Sequence, residues 1–121
     1  MNDHPLVGIW KLVSMERADA EGNMSAATVV TGLLMYTPNG WMSEAFEIQL
    51  PGSELAATHM FYSGTYVIDG STVTHQPRIH TNPEMVGQDL PRQFETDGDR
   101  FTLIAGNPIG SARLVWERVL I

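Results

Sequence analysis

The chain has 121 residues, 43% of them hydrophobic and 17% charged, and its 14 acidic against seven basic side chains give a formal charge of −7. That composition describes one globular domain, residues 1–121, able to bury roughly two-thirds of its unfolded surface, and it excludes a disordered chain. Without clustered cations there is no surface to displace counterions from nucleic acid or to hold an anionic membrane, and without cysteine there are no disulfides and no thiolate chemistry.

The chain opens on Met1-Asn-Asp-His-Pro-Leu-Val-Gly-Ile-Trp10, which has no basic region ahead of an apolar core, so a secretory signal is not expected. No apolar run approaches the ~20 residues of a spanning helix. A cytoplasmic location is the expectation, and the lack of cysteine fits it.

Strand signals then follow one another along the chain. "LVGIWKLVSMER" and "TVVTGLLMYT" are rich in β-branched and large apolar residues. Asn39-Gly40, Asp69-Gly70 and Asp97-Gly98 are hairpin turn signals, and "AGNPIGSA" at 105–112 is a looser turn. They divide the chain into eight strands, at about 8–16, 28–37, 40–48, 60–68, 71–80, 88–96, 100–105 and 112–119. Eight sequential antiparallel strands predict an all-β, up-and-down barrel with an internal cavity. The stretch Ser53-Glu-Leu-Ala-Ala is the exception and reads as a helical turn or a loop over the barrel mouth.

Alternation assigns the inward faces. In the first strand Lys11 belongs outside, which sends Trp10, Leu12 and Ser14 in. The second sends in Leu34 and Tyr36, the third Met42, Glu44 and Phe46, the fourth Tyr62, Gly64, Tyr66 and Ile68. Val73, His75, Pro77 and Ile79 share a face of the fifth, with Arg78 and His80 opposite, although Pro77 cannot donate to the ladder and a bulge there would reverse the residues after it. Leu114, Trp116 and Arg118 share a face of the last strand.

The interior so inferred is apolar with a few polar groups, which is the chemistry of a small-molecule site. Glu44 stands out, because a carboxylate facing a dry cavity has a raised pKa and becomes a usable general acid or base. His75 reads either as its acid/base partner or as a neutral core histidine. Tyr36, Tyr62 and Tyr66 are candidate donors to a ligand oxygen or, equally, core residues with satisfied hydroxyls. Arg92 reads as a clamp for an anionic end or as a rim arginine. Met42, Phe46 and Trp116 read as wall and floor. His59 and His80 default to the surface. No His-x-His or His-Glu-x-x-His spacing exists, so no metal is expected, and no glycine-rich phosphate loop calls for a nucleotide cofactor.

"LVGIWKLVS", "LMYTPNGWMS", "YSGTYVIDGSTVTH", "ETDGDRFTL" and "ARLVWERV" resemble, in that order, the blocks of the bacterial lipocalin-like domain family, over about Leu6 to Val119. The resemblance implies a barrel with a cavity. It also implies that Gly8-Ile9-Trp10 is a lipocalin-type Gly-x-Trp signature whose Trp plugs the closed end, with Arg118 stacked on it. Two features depart from the family. Residues 49 to 59 are short for its partly helical insertion, leaving a reduced lid or one supplied by a second subunit, so a homodimer is an option. Glu44 stands in "WMSE" where relatives have a small neutral residue in a "YMSA"-like run.

The leading expectation from these residues is a cofactor-independent isomerase, cyclase or lyase acting on a small hydrophobic or aromatic molecule. Its catalytic candidates are Glu44, His75 and Tyr66, and its binding candidates are Tyr36, Met42, Phe46, Tyr62, Arg92 and Trp116. The alternatives are a non-catalytic carrier of a similar molecule and an interaction module with a filled barrel.

Overall fold

The computed structural model describes residues 4–19, 21, 23–27, 29–49, 58–107 and 110–119. Among them run nine strands: β1 (Gly8–Asp19), β2 (Met24–Ala26), β3 (Val29–Tyr36), β4 (Trp41–Gln49), β5 (Thr58–Asp69), β6 (Thr72–His80), β7 (Leu90–Asp97), β8 (Arg100–Asn107) and β9 (Gly110–Arg118), with one 3₁₀ turn at Pro83–Met85. From β3 to β9 each strand pairs antiparallel with the next, and β1 pairs with both β3 and β9. The sheet therefore closes on itself as the expected eight-stranded up-and-down barrel. The extra strand, β2, is short and runs beside the far half of β1, from Glu16 to Ala18. Closure leaves every long strand with two neighbours, so none offers the unpaired edge that invites aggregation. The Ser53 stretch lies outside the described residues. No helix among the described residues is long and apolar enough to cross a membrane.

One end is shut by the N-terminal segment. Leu6 is fully buried, and the Trp10 indole N–H donates to its carbonyl at 2.9 Å. The Arg118 guanidinium lies 4.2 Å from the Trp10 ring centroid and donates to the carbonyls of Val7 and Pro5 at 3.0 and 2.7 Å. Phe101 meets Trp10 edge to face at 4.5 Å. The plug that the Gly-x-Trp resemblance implied is thus a cation–π stack tied to the chain that crosses the barrel end.

Two bulges reset the alternation. In β1 the register with β9 passes from Leu12↔Trp116 to Ser14↔Val115, leaving Val13 as the extra residue. Met15, not Ser14, consequently takes the next inward place, at 4% exposure. In β6 the register with β5 passes from Gly64↔Pro77 to Ser63↔Ile79, leaving Arg78 unpaired. Beyond it Ile79 faces outward at 68% exposure, while the His80 ring stacks on Tyr62 with centroids 4.9 Å apart. Pro77 explains the second bulge, since it has no N–H for the ladder.

Gly64 is the counterpart of that bulge. A Cβ built there would sit 2.0 Å from the Gln76 carbonyl oxygen and 2.9 Å from the Arg78 nitrogen, both backbone atoms. Gly64→Ala should therefore displace the bulge and destabilise the barrel by about 1–3 kcal/mol, as overpacked sites do. A urea melt of the variant checks it.

Candidate functional site

Along β4 the side chains of Met42, Glu44 and Ile48 are buried, Phe46 is half-buried against the core, and Trp41 is exposed. Glu44 lies between Leu34 of β3 and Tyr62 of β5, its direct cross-strand partners, so all three share the interior face. A carboxylate enclosed this way must be hydrogen-bonded or protonated, because unpaired burial of its charge is prohibitive.

Four side chains from four strands answer that requirement. The Tyr62 hydroxyl donates to Glu44 Oε1 at 2.7 Å and lies 2.5 Å from His75 Nδ1. The Tyr36 hydroxyl lies 2.6 Å from His75 Nε2. A hydroxyl carries one proton, so Tyr62, having given its own to Glu44, must accept from Nδ1–H. The neutral ring then has a bare Nε2, which accepts from Tyr36. The result is a line of one polarity, Tyr36 O–H to His75 to Tyr62 O–H to the Glu44 carboxylate. If Glu44 takes a proton, every bond in the line can reverse. Among the described residues the hydrogen bond that Glu44 accepts goes to Oε1, and Oε2 receives none.

Burial sets the protonation states. Desolvation, reinforced by the positive charge of Arg92, lowers His75 to about 3, so the ring is neutral at physiological pH. Its Nδ1 is 3.7 Å from Glu44 Oε1, but with the ring uncharged this contact is not an ion pair. Desolvation raises Glu44, opposed by the Tyr62 hydrogen bond and by Arg92. Tyr36 and Tyr62 are both raised by burial first and by the Glu44 charge second, which keeps them as proton donors.

Tyr66 stands outside this line. Its hydroxyl donates to the Thr37 carbonyl at 2.6 Å, and its ring meets Tyr36 edge to face at 4.8 Å, so it braces the ring that begins the relay. Trp116 is fully buried, and its indole Nε1–H finds no acceptor among the described residues. Arg92 is paired with buried Val73 across the β6–β7 ladder and lies in phase with buried Leu90 and Phe94, so it belongs to the interior face. It is half-buried and donates from Nη1 to the Pro91 carbonyl at 3.0 Å; among the described residues it makes no ion pair.

His59 stays outside, 3.3 Å from Glu47. Among the described residues no three His, Asp or Glu side chains converge as a metal-binding group. His80, assigned to the surface by the sequence, contributes the stack on Tyr62, and the only signal of it was the bulge that Pro77 made available. The two described surface grooves, one beside residues 86–89 and one at the Asn39-Gly40 turn, are not lined by Glu44, Tyr62 or His75.

The arrangement as a whole is a buried carboxylate with one engaged and one unengaged oxygen, backed by a chain of three neutral proton-carrying groups, inside a barrel of a kind compatible with small-molecule binding. No family model matches this chain, and no curated protein or solved structure matches it either.

Proposed function

We propose that this barrel, a relative of the bacterial lipocalin-like domains, is a cofactor-independent enzyme that isomerises, cyclises or eliminates within a small, largely apolar molecule by moving a proton. The observation that carries this reading is the single-polarity hydrogen-bond line ending on Glu44. A structural hydrogen-bond cluster has no need of a carboxylate, which is costly to bury, at its end. A general base does, and desolvation brings its pKa toward the working pH, where proton transfer is most effective. The tyrosine–histidine–tyrosine line behind it gives the captured proton or its charge somewhere to go. Met42, Phe46 and Trp116 supply the apolar wall that orients the substrate.

The test begins with native mass spectrometry of freshly purified protein to identify a co-purifying molecule, followed by comparison of wild type with Glu44→Gln on that molecule. The amide keeps the size and removes the base. Turnover is expected to fall by about 10²- to 10⁴-fold with binding retained. Binding without turnover in the wild type would make the protein a carrier, and a barrel that takes up nothing from an apolar panel would end both readings.

A further inference from the structure

We propose that Arg92 holds the negatively charged oxygen formed during turnover, and that the substrate is a neutral carbonyl compound with an acidic C–H beside the carbonyl. This rests on the proton-transfer reading above and specifies what it acts on.

Once the relay is formed, some interior polar groups are left over. The relay satisfies Tyr36, His75, Tyr62 and one oxygen of Glu44. What remains on the inner face among the described residues is one donor group and one acceptor: the half-buried Arg92 guanidinium, with one of its five N–H groups engaged by a carbonyl, and Glu44 Oε2, which receives no hydrogen bond. A ligand complementary to that set brings an oxygen to be held by donors and a proton to be given to a carboxylate. A carbonyl compound with an acidic α-hydrogen brings both.

The charges agree. With His75 and the tyrosines neutral, the interior carries the Glu44 carboxylate and the Arg92 cation. Arg92 pairs with Val73, two residues along β6 from His75, and its positive charge opposes the upward shifts of Glu44, Tyr36 and Tyr62 and adds to the lowering of His75. A ligand that arrived as an anion would add an uncompensated charge to a low-dielectric space. A neutral one leaves the sum at zero, and proton transfer only moves the negative charge from Glu44 onto the substrate oxygen.

In that step the α C–H bond breaks, the proton goes to Glu44 Oε2, and the C–H electron pair becomes the new C=C as the carbonyl pair settles on oxygen. Return of the proton to a different carbon regenerates the carboxylate and yields the isomer. No oxidant, reductant or metal enters the balance. Holding charge as it develops, with donors already in place, is where enzymes gain most.

The probe is 4-nitrophenol, whose phenol and phenolate forms absorb at different wavelengths, with 4-nitrotoluene as its neutral counterpart. Bound to the wild type, 4-nitrophenol is expected to ionise about one pH unit or more below its value in water. Arg92→Gln should abolish that shift while leaving 4-nitrotoluene affinity within twofold, and Arg92→Lys should keep part of it. Uptake of both probes with no downward shift in the wild type, or with the same shift in Arg92→Gln, overturns the assignment of Arg92 and leaves the interior site standing. Failure of the wild type to take up either probe overturns the interior site, and this inference with it. Because the wild-type spectrum is decisive by itself, a variant that fails to fold does not rescue the idea.

Discussion

Lowering the pH from 7.5 to 4.5 is expected to remove roughly 2.5–3 kcal/mol of unfolding free energy through His75 alone. The folded ring titrates at about 3, against 6.5 for the unfolded chain. Between those values the unfolded chain binds a proton that the barrel refuses. The contribution is therefore complete above pH 6.5 and is lost as the pH falls toward 3. Glu44 works in the opposite direction: its folded pKa is raised, so on acidification the barrel takes that proton before the unfolded chain does and gains stability from it. Urea melts at the two pH values, for wild type, His75→Gln and Glu44→Gln, separate the two contributions. His75→Gln should lose much less stability than wild type over this interval, and Glu44→Gln should lose more. If His75→Gln declines as steeply as wild type, the buried neutral histidine is not the acid-sensitive element.

The barrel was largely legible in the sequence because its information is local. Turn pairs such as Asp69-Gly70 and Asp97-Gly98 end strands by their own chemistry, and alternation then places Leu34, Tyr36, Met42, Glu44, Tyr62 and Tyr66 on the inner face. What failed was the phase beyond each bulge. Val13 gives no warning of the extra residue it becomes, so Ser14 stood in for Met15. Pro77 does give one, but not the position of the slip, so Ile79 was read as inward and His80 as outward.

The site was legible only as a set of separate residues. That Tyr62 and Glu44 are cross-strand neighbours follows from the register of β4 on β5, which the long connection between those strands does not specify as a two-residue turn would. That Tyr36 reaches His75 does not, because the contact spans the barrel interior between strands that are not neighbours. Alternation specifies which face a side chain takes, not how far across the barrel interior it extends. For the same reason alternation puts Tyr66, the catalytic candidate, and Tyr36, the binding candidate, on one face without showing which reaches His75. Only the position of the Thr37 carbonyl, at the closing turn, separates the bracing tyrosine from the one in the relay.

Tyr62→Phe is the sharpest probe of that relay. It deletes the single oxygen that joins His75 Nδ1 to Glu44 Oε1 and leaves the ring volume intact. A buried N–H loses its acceptor and a buried carboxylate its donor, so destabilisation of about 1–3 kcal/mol is expected in a urea melt. The Glu44 pKa, already raised by burial, should rise further, because the bond being removed favours its charged form. A carboxyl-carbon NMR titration reads that shift directly. Tyr66→Phe is the control: it also removes one buried-face hydroxyl bond, to a backbone carbonyl, but it touches neither His75 nor Glu44. It should cost a comparable amount of stability and leave the Glu44 titration where it was. The contrast between the two tyrosines distinguishes a proton line from ordinary core packing. In a merely packed core both variants would shift stability and neither would move the carboxylate, and a Tyr62→Phe protein whose Glu44 titrates unchanged would show that the line carries no charge.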